Sequence, residues 1–395
     1  MRGATAQRAT EVAGKLARVR GWMDGAGVAG VVLTAPGPLA WLTAGLEDPI
    51  ERGAAVGLVW ALVTPVAAVL ITTGVELPRL EAEEPLTALG LTAVAVPWSE
   101  ADAPIRAAEK LAGVPRDRLA SDGHPAFGVD ADDDLTALRL RLEDVEQERL
   151  RALAGDTARA LEAAVAAWRP GERDRELAAR IAGDLERAGV FPACLLVGGD
   201  DRVQRFRHPV PVGAPMDRLA MAVVVGARDG LHVALTRFAS AGPVAPALAA
   251  SYGAAQLVEA RMLATCRPGA TFGDVLDAGR AGYAEVGEPE AWRDHYQGGP
   301  VGYRQREWEI APDQRTSRWF AAPVEAGHAV AFNPSVAGGG KAEDTFLVGR
   351  DGLECLTDTG TWPLTSPAPG LPARPQILDL SKGEQLYDHP GERRA

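Results

Sequence analysis

The chain has 395 residues, with 41 basic against 53 acidic side chains and a formal net charge of −12. At 47% hydrophobic and 24% charged it reads as a globular chain of two or three domains rather than a disordered one. The acidic balance, without a basic run, argues against nucleic acid as a partner. Cys194, Cys266 and Cys355 are widely spaced and form no CxxC pair, which excludes a disulfide framework and a zinc ribbon and fits a reducing cytoplasm. No apolar stretch follows the N-terminal Met, so no signal peptide is expected.

Residues 7–27 predict a helix with Val12, Leu16, Val19 and Met23 on one face and a stop at Gly25 and Gly27. A buried strand follows at 28–34. The stretch 54–75 is uncharged and long enough to span a bilayer, yet Thr64-Pro65 interrupts it and β-branched residues dominate, so two buried strands are expected and no membrane partner. A short polar helix, a strand at 91–96, a helix near 105–111 and a strand near Leu119 complete an N-terminal α/β domain, residues 1–140. The acidic stretch 130–134 opens a long amphipathic helix running through Leu150 and Val165, which places the boundary between 130 and 148. A second domain follows over 141–363, and 364–395 reads as a Pro-rich tail draped on the surface.

The second domain contains an echo of itself. Arg169-Pro170-Gly171 precedes an amphipathic helix closing at Gly189, and Arg267-Pro268-Gly269 precedes another closing at Gly287, with the same spacing in both copies. Proline ends one helix and opens the turn to the next. Apolar strands follow each copy, which predicts two pseudo-symmetric α+β halves with a ligand site between them.

Polar side chains gather in four segments of this domain: Gln204 to Pro209, the strand hairpin ending Thr236-Arg237-Phe238, His295 to Glu307, and Asn333-Pro334 with Lys341 to Thr345 after a glycine run. Glycines beside Gln, Tyr, Arg and Glu keep the backbone thin where a ligand approaches. In this order the segments resemble those of the pita-bread superfamily of creatinase, prolidase, aminopeptidase P and methionine aminopeptidase, the M24 group. Leu33-Thr34-Ala35-Pro36 through Trp41 to Gly45 resembles the start of a creatinase-type N-terminal domain. Phe206-Arg-His-Pro, Leu235-Thr-Arg-Phe, His295-Tyr-Gln-Gly-Gly, Gly302-Tyr-Arg-Gln-Arg-Glu and Asn333-Pro-Ser also resemble a set of family homologues without the metal ligands.

The resemblance implies a creatinase-type N-terminal α/β domain, a pita-bread α+β domain with an internal pseudo-twofold repeat, and a homodimer. Carried over one position at a time, the family's metal ligands fall on Val224, Ala234, Gly299, Asn333 and Glu343, of which only Glu343 is a carboxylate. One carboxylate cannot hold two hard divalent cations, so neither metal nor cofactor is expected. The resemblance places His208 where the family's non-ligand active-site His is found.

The expected function is metal-independent hydrolysis, creatinase-like, of a C–N bond in a small amide, guanidino or peptide-like substrate. His208, Glu343 and His295 are the candidate acid–base residues; Arg237, Gln297, Tyr303, Arg306 and Asn333 are the candidate substrate contacts. Six of them have a plainer alternative: His208 bonding a loop carbonyl, His295 and Gln297 bracing a turn, Arg237 pairing with Glu343 or Glu307, Arg306 and Glu307 in an ion-pair network, Tyr303 packing. A rival reading is a non-catalytic pseudo-peptidase that binds a peptide or metabolite. A residual mononuclear metal site would need His208, His295 and Glu343 to converge. Cys194 and Cys266 read as core residues, and His124, His232, His328 and His389 as surface or loop histidines.

Overall fold

The face predicted for the first helix is the buried one: Val12, Leu16, Val19 and Met23 lie inside α1 (Thr5–Ala26), which stops where Gly27 turns left-handed. The computed structural model describes residues 4–311 and 317–382, in two compact units. The first unit runs up to Leu140 and includes Asp229–Leu231; the second holds Arg141–Arg228 and resumes at His232.

In the first unit α1 is followed by β1 (Gly30–Leu33), α2 (Pro36–Leu42), β2 (Trp60–Val63), β3 (Ala68–Thr73), α3 (Leu77–Glu83), β4 (Thr92–Val96), α4 (Ala103–Ala112), β5 (Leu119–Ser121), β6 (Val129–Asp130) and α5 (Asp132–Leu140). The strands form one mixed sheet in the order β4-β3-β2-β1-β5-β6. The uncharged stretch is the antiparallel pair β2–β3, closed by Thr64 N–H donating to the Ala67 carbonyl at 2.9 Å. Proline interrupts what a helix would have needed as a donor. Among the described residues no helix is long and apolar enough to cross a membrane.

The second unit opens with α6 (Asp144–Ala166) and α7 (Asp174–Arg187), then β7 (Phe191–Gly199), α8 (Asp200–Arg205), β8 (Leu219–Arg228) and β9 (Leu231–Ser240). Next come α9 (Pro246–Thr265), α10 (Phe272–Glu285), β10 (Gly298–Val301), β11 (Ala329–Phe332), β12 (Ser335–Val336), β13 (Gly340–Lys341), β14 (Asp344–Val348) and β15 (Leu353–Cys355). The last strands are β16 (Leu364–Thr365), β17 (Arg374–Pro375) and β18 (Leu378–Asp379). Two four-stranded sheets result, β18-β9-β8-β7 and β10-β11-β14-β15.

The repeat seen in the sequence recurs in hydrogen bonds. Asp174 N–H donates to Ala214 O at 2.9 Å and Phe272 N–H to Ala322 O at 3.2 Å, each at the first residue of its helix. The reciprocal pairs match as well: Met216 N–H donates to Glu172 O, and Val324 N–H to Ala270 O. Arg173 bridges Pro215 as Thr271 bridges Pro323. Both halves thus fold the turn, the helix and the returning chain in one way.

The C-terminal stretch departs from the expected tail. β16 pairs with β17, β18 extends a sheet beside β9, and Arg374 and Leu378 are buried. Prolines there end short strands rather than holding the chain off the core. Residues 383–395, with His389, lie outside the described residues.

Candidate functional site

The second unit's two sheets are stitched together by threonines. Thr345 Oγ1 accepts from Ala234 N–H at 2.8 Å and donates to the Ala234 carbonyl at 2.9 Å. Two residues along, Thr236 N–H donates to the Glu343 carbonyl at 3.0 Å and its hydroxyl to Glu343 Oε2 at 3.2 Å. Glu343 Oε1 accepts from Arg306 at 2.7 Å. Alternation along β9 and β14 therefore gives one set of side chains to this seam and sends the next residues, Arg237 and Asp344, inward.

Arg237 is engaged within the core. It is 1% exposed, donates to Glu162 at 2.8 Å, to Asp344 at 2.9 Å and to the Thr357 carbonyl at 3.0 Å, and meets neither Glu343 nor Glu307. Asp344 also accepts from Arg374 at 2.8 Å, and Arg374 donates to Glu259 at 2.6 Å. Burial pushes the Glu259 carboxyl up to about 7, against the opposing charge of Arg374. Tyr303 is committed too, donating to Glu146 at 2.7 Å and accepting from Arg149 at 3.3 Å.

His208 and His295 meet, Nε2 to Nε2, at 3.0 Å. The Nδ1 of His295 contacts the Tyr296 carbonyl, which can only accept, so Nδ1 carries the proton and Nε2 the lone pair. His208 must then donate from Nε2, leaving its own Nδ1 as a basic nitrogen. Burial pushes His295 down to about 3, helped by the charge of Lys341. His208 is lowered for the same two reasons, burial first. Both imidazoles are therefore neutral near pH 7 and the tautomers are ordered. Gln297 sets this geometry: its Nε2 donates to the carbonyls of His295 at 2.8 Å and Trp292 at 3.1 Å, and its Oε1 accepts from Tyr283 at 3.0 Å. The pair lines a cleft of about 500 Å³ with Arg207, Arg293, Asp294 and Tyr296.

Three residues that were not among the site candidates belong to this neighbourhood. Lys341 is 4% exposed, and burial lowers its pKa against the attraction of Glu343. Cys194 feels Glu343, Lys341 and Arg306, though burial is the larger cause of its raised pKa; it is half-buried where a core residue was expected. Arg207 donates to Ser335 Oγ at 3.1 Å and to Asp294 at 3.3 Å. A signal for Lys341 was available, since it is one of four lysines among 41 basic residues. His328 is a second departure: it is buried at 5% exposure against Phe272, not on the surface, and burial takes it down to about 4.

At the positions that the family resemblance assigns to metal ligands, Val224 and Ala234 are fully buried alkyl groups in β8 and β9. Gly299 lies against the loop, where a Cβ would come 2.6 Å from the Trp308 carbonyl. Asn333 N–H donates to the Gln297 carbonyl at 3.3 Å, and its Oδ1 is buried without a partner among the described residues. No group of three or more His, Cys, Asp or Glu among the described residues is placed to hold a metal ion.

Known structures share this architecture. Dipeptidase PepE from Mycobacterium ulcerans superimposes with a TM-score of 0.74 at 23% identity, over 94% of this chain and 98% of that one. The Xaa-Pro dipeptidase of Bacillus anthracis gives 0.70 at 20% identity, over 88% and 98%. The N-terminal domain of a FACT complex subunit from chickpea (Cicer arietinum) gives 0.64 at 12%, over 90% and 96%. Among curated protein sequences nothing matches. The sequence profile of metallopeptidase family M24 matches residues 148–350. With that match covering half the chain, and with the pita-bread architecture around it, the protein belongs to metallopeptidase family M24.

Proposed function

We propose that the protein is a small-substrate hydrolase of the M24 fold that works without the family's two metals, using the His208–His295 pair to move the proton. The observation that carries this reading is the pair itself: two neutral imidazoles at 3.0 Å with ordered tautomers, opening on a cleft. A water held at His208 Nδ1 gives up a proton as its oxygen attacks a carbonyl or amidine carbon. The same imidazolium then protonates the departing nitrogen, so one C–O bond forms and one C–N bond breaks for each water consumed. His295 is a positioning residue that keeps Nδ1 of His208 basic. Asn333 Oδ1 is the acceptor offered to a substrate N–H. Glu343 with Arg306, and behind them Arg237, Gln297 and Tyr303, hold the wall in place.

Metal independence is supported by the donor set. Val224, Ala234 and Gly299 offer no ligand atom, Asn333 is neutral, and Glu343 is already bound by Arg306 and Thr236. The trio His208, His295 and Glu343 is not among residues placed to hold a metal. Small amides, guanidino compounds and short peptides are the substrate class. Turnover that persists in excess chelator and is lost in His208→Gln supports this reading; turnover that requires added Mn²⁺, Co²⁺ or Zn²⁺ overturns it.

One observation favours the rival, a non-catalytic binding protein: among the described residues, Asp294 in the cleft is more than half exposed and Glu343 is already neutralised by Arg306. The FACT subunit domain, part of a complex by its description, has the same fold. Tight binding of a peptide or metabolite without any turnover would select this second reading.

A further inference from the structure

We propose that the cavity behind Arg207, between β12–β13 and the end of α8, is a binding site for a short aliphatic carboxylate, with Lys341 as the counter-charge. The cavity has a volume of about 230 Å³ and is lined by Arg205, Arg207, Lys341, Ser335 and the loop Gly338–Gly340, with Val203, Met221 and Val336 as its apolar part. Three cations line it and no carboxylate does.

Lys341 is the unusual member. Its residue is 4% exposed, and among the described residues no carboxylate comes within ion-pairing distance of its ammonium group. Glu343, two residues along, is held by Arg306 at 2.7 Å and by Thr236, so it is not free to turn toward Lys341. An ammonium carried by so buried a residue, with no carboxylate beside it, is costly, and buried charges are ordinarily paired. Methionine would fill the same volume without that cost, so retention of the charge points to a partner that arrives from outside.

The remaining donors suit one carboxylate. Ser335 Oγ accepts from Arg207 Nε at 3.1 Å, which leaves the hydroxyl its own proton to donate. Arg207 spends its other side-chain bond on Asp294 at 3.3 Å, a residue that lines the neighbouring cleft and is more than half exposed. Arg205 pairs with Asp201 at 3.5 Å, also on the exposed side. Gly340, whose Cβ would come 2.0 Å from the Ser251 carbonyl, lets the β13 backbone press against α9 and sets the cavity's depth. Valine and methionine in the same lining favour a ligand with a small hydrocarbon body over a bare inorganic anion.

The cavity shares Arg207 with the cleft of the His208–His295 pair, and the inference rests on the hydrolase reading, which it deepens by naming an acid-bearing substrate or product. Its test needs no turnover. Isothermal titration and thermal shift are run on the full chain with acetate, butyrate and hexanoate, their primary amides, and inorganic phosphate. The expected result is saturable binding that tightens from acetate to butyrate, with amides and phosphate at least tenfold weaker. Lys341→Met should retain or raise the melting temperature and weaken butyrate at least tenfold. Should Lys341→Met not fold, Ser335→Ala tests the same site, with about tenfold weaker binding expected from loss of a bond to a charged group. Equal binding of amide and acid, phosphate binding as tight as butyrate, or unchanged binding in both variants overturns the proposal. A failed hydrolysis screen with carboxylate binding intact strikes only the hydrolase reading.

Discussion

Asp344→Asn is the sharpest test of how the second unit holds its site. The Asp344 carboxylate accepts from Arg237 at 2.9 Å, Arg374 at 2.8 Å and the Thr357 hydroxyl at 2.6 Å, and each of these charged residues is 1% exposed. Arg237 also holds Glu162 on α6, and Arg374 holds Glu259 on α9. Two guanidinium groups face three carboxyl groups, and with Glu259 pushed up to about 7 the cluster sits close to neutral near pH 7. Asparagine keeps the volume and removes one negative charge from between two cations. Removing one partner from a buried pair costs about 3–5 kcal/mol. The control is Glu354→Gln, which breaks the Arg151–Glu354 pair at 2.8 Å, where the side chains are 41% and 48% exposed. An exposed pair of that kind contributes under about 1 kcal/mol. Urea unfolding followed by tryptophan fluorescence reads both. The Asp344→Asn loss should shrink as pH rises from about 6 to 8, because ionised Glu259 restores the missing charge. If Asp344→Asn costs no more than Glu354→Gln, the network does not hold β9, β14 and β17 together and the reasoning is wrong.

Other expectations concern protons, glycines and thiols. His328 titrates near 6.5 when unfolded and about 4 when folded, so the unfolded state binds more protons between those values and stability falls with pH across that window. The stability difference between wild type and His328→Gln should therefore decline by roughly 1.4 kcal/mol per pH unit below 6.5, measured by urea titration at stepped pH; a flat difference would contradict the buried neutral imidazole. Gly27 and Gly298 share a positive φ, but a Cβ at Gly27 meets open space and one at Gly298 comes 2.2 Å from the Ala331 carbonyl. Gly27→Ala is expected to cost about 1 kcal/mol and Gly298→Ala about 3 kcal/mol or more, and equal melting temperatures would refute the clash. Burial pushes Cys266 and Cys355 up to about 12, so native-state alkylation followed by mass spectrometry should leave both unlabelled after Cys194 has reacted.

Much of the fold was legible because it is local. The apolar face of α1, the split of 54–75 at Pro65, and the two Arg-Pro-Gly turns with their helices each follow from spacing and from residues with restricted backbones. The C-terminal stretch was misjudged because its prolines say nothing about what Arg374, a single residue, reaches across the fold. The same limit governs the site. Sequence order brought His208, His295, Asn333 and Glu343 forward as a set, but alternation along β9 and β14 decided which neighbours face the seam and which turn inward. Thr236 and Glu343 meet there, while Arg237 and Asp344 are drawn into the core.

Composition, the repeat and the resemblance of short polar segments thus established by themselves the architecture and the family. They did so because helices, turns and strands are set by neighbours in the chain. Only the tertiary structure decided which polar groups are spent on one another and which are left for a ligand. Partners such as Arg237 with Glu162, or His208 with His295, are separated by scores of residues, and a buried charge such as Lys341 declares itself only when its surroundings are complete.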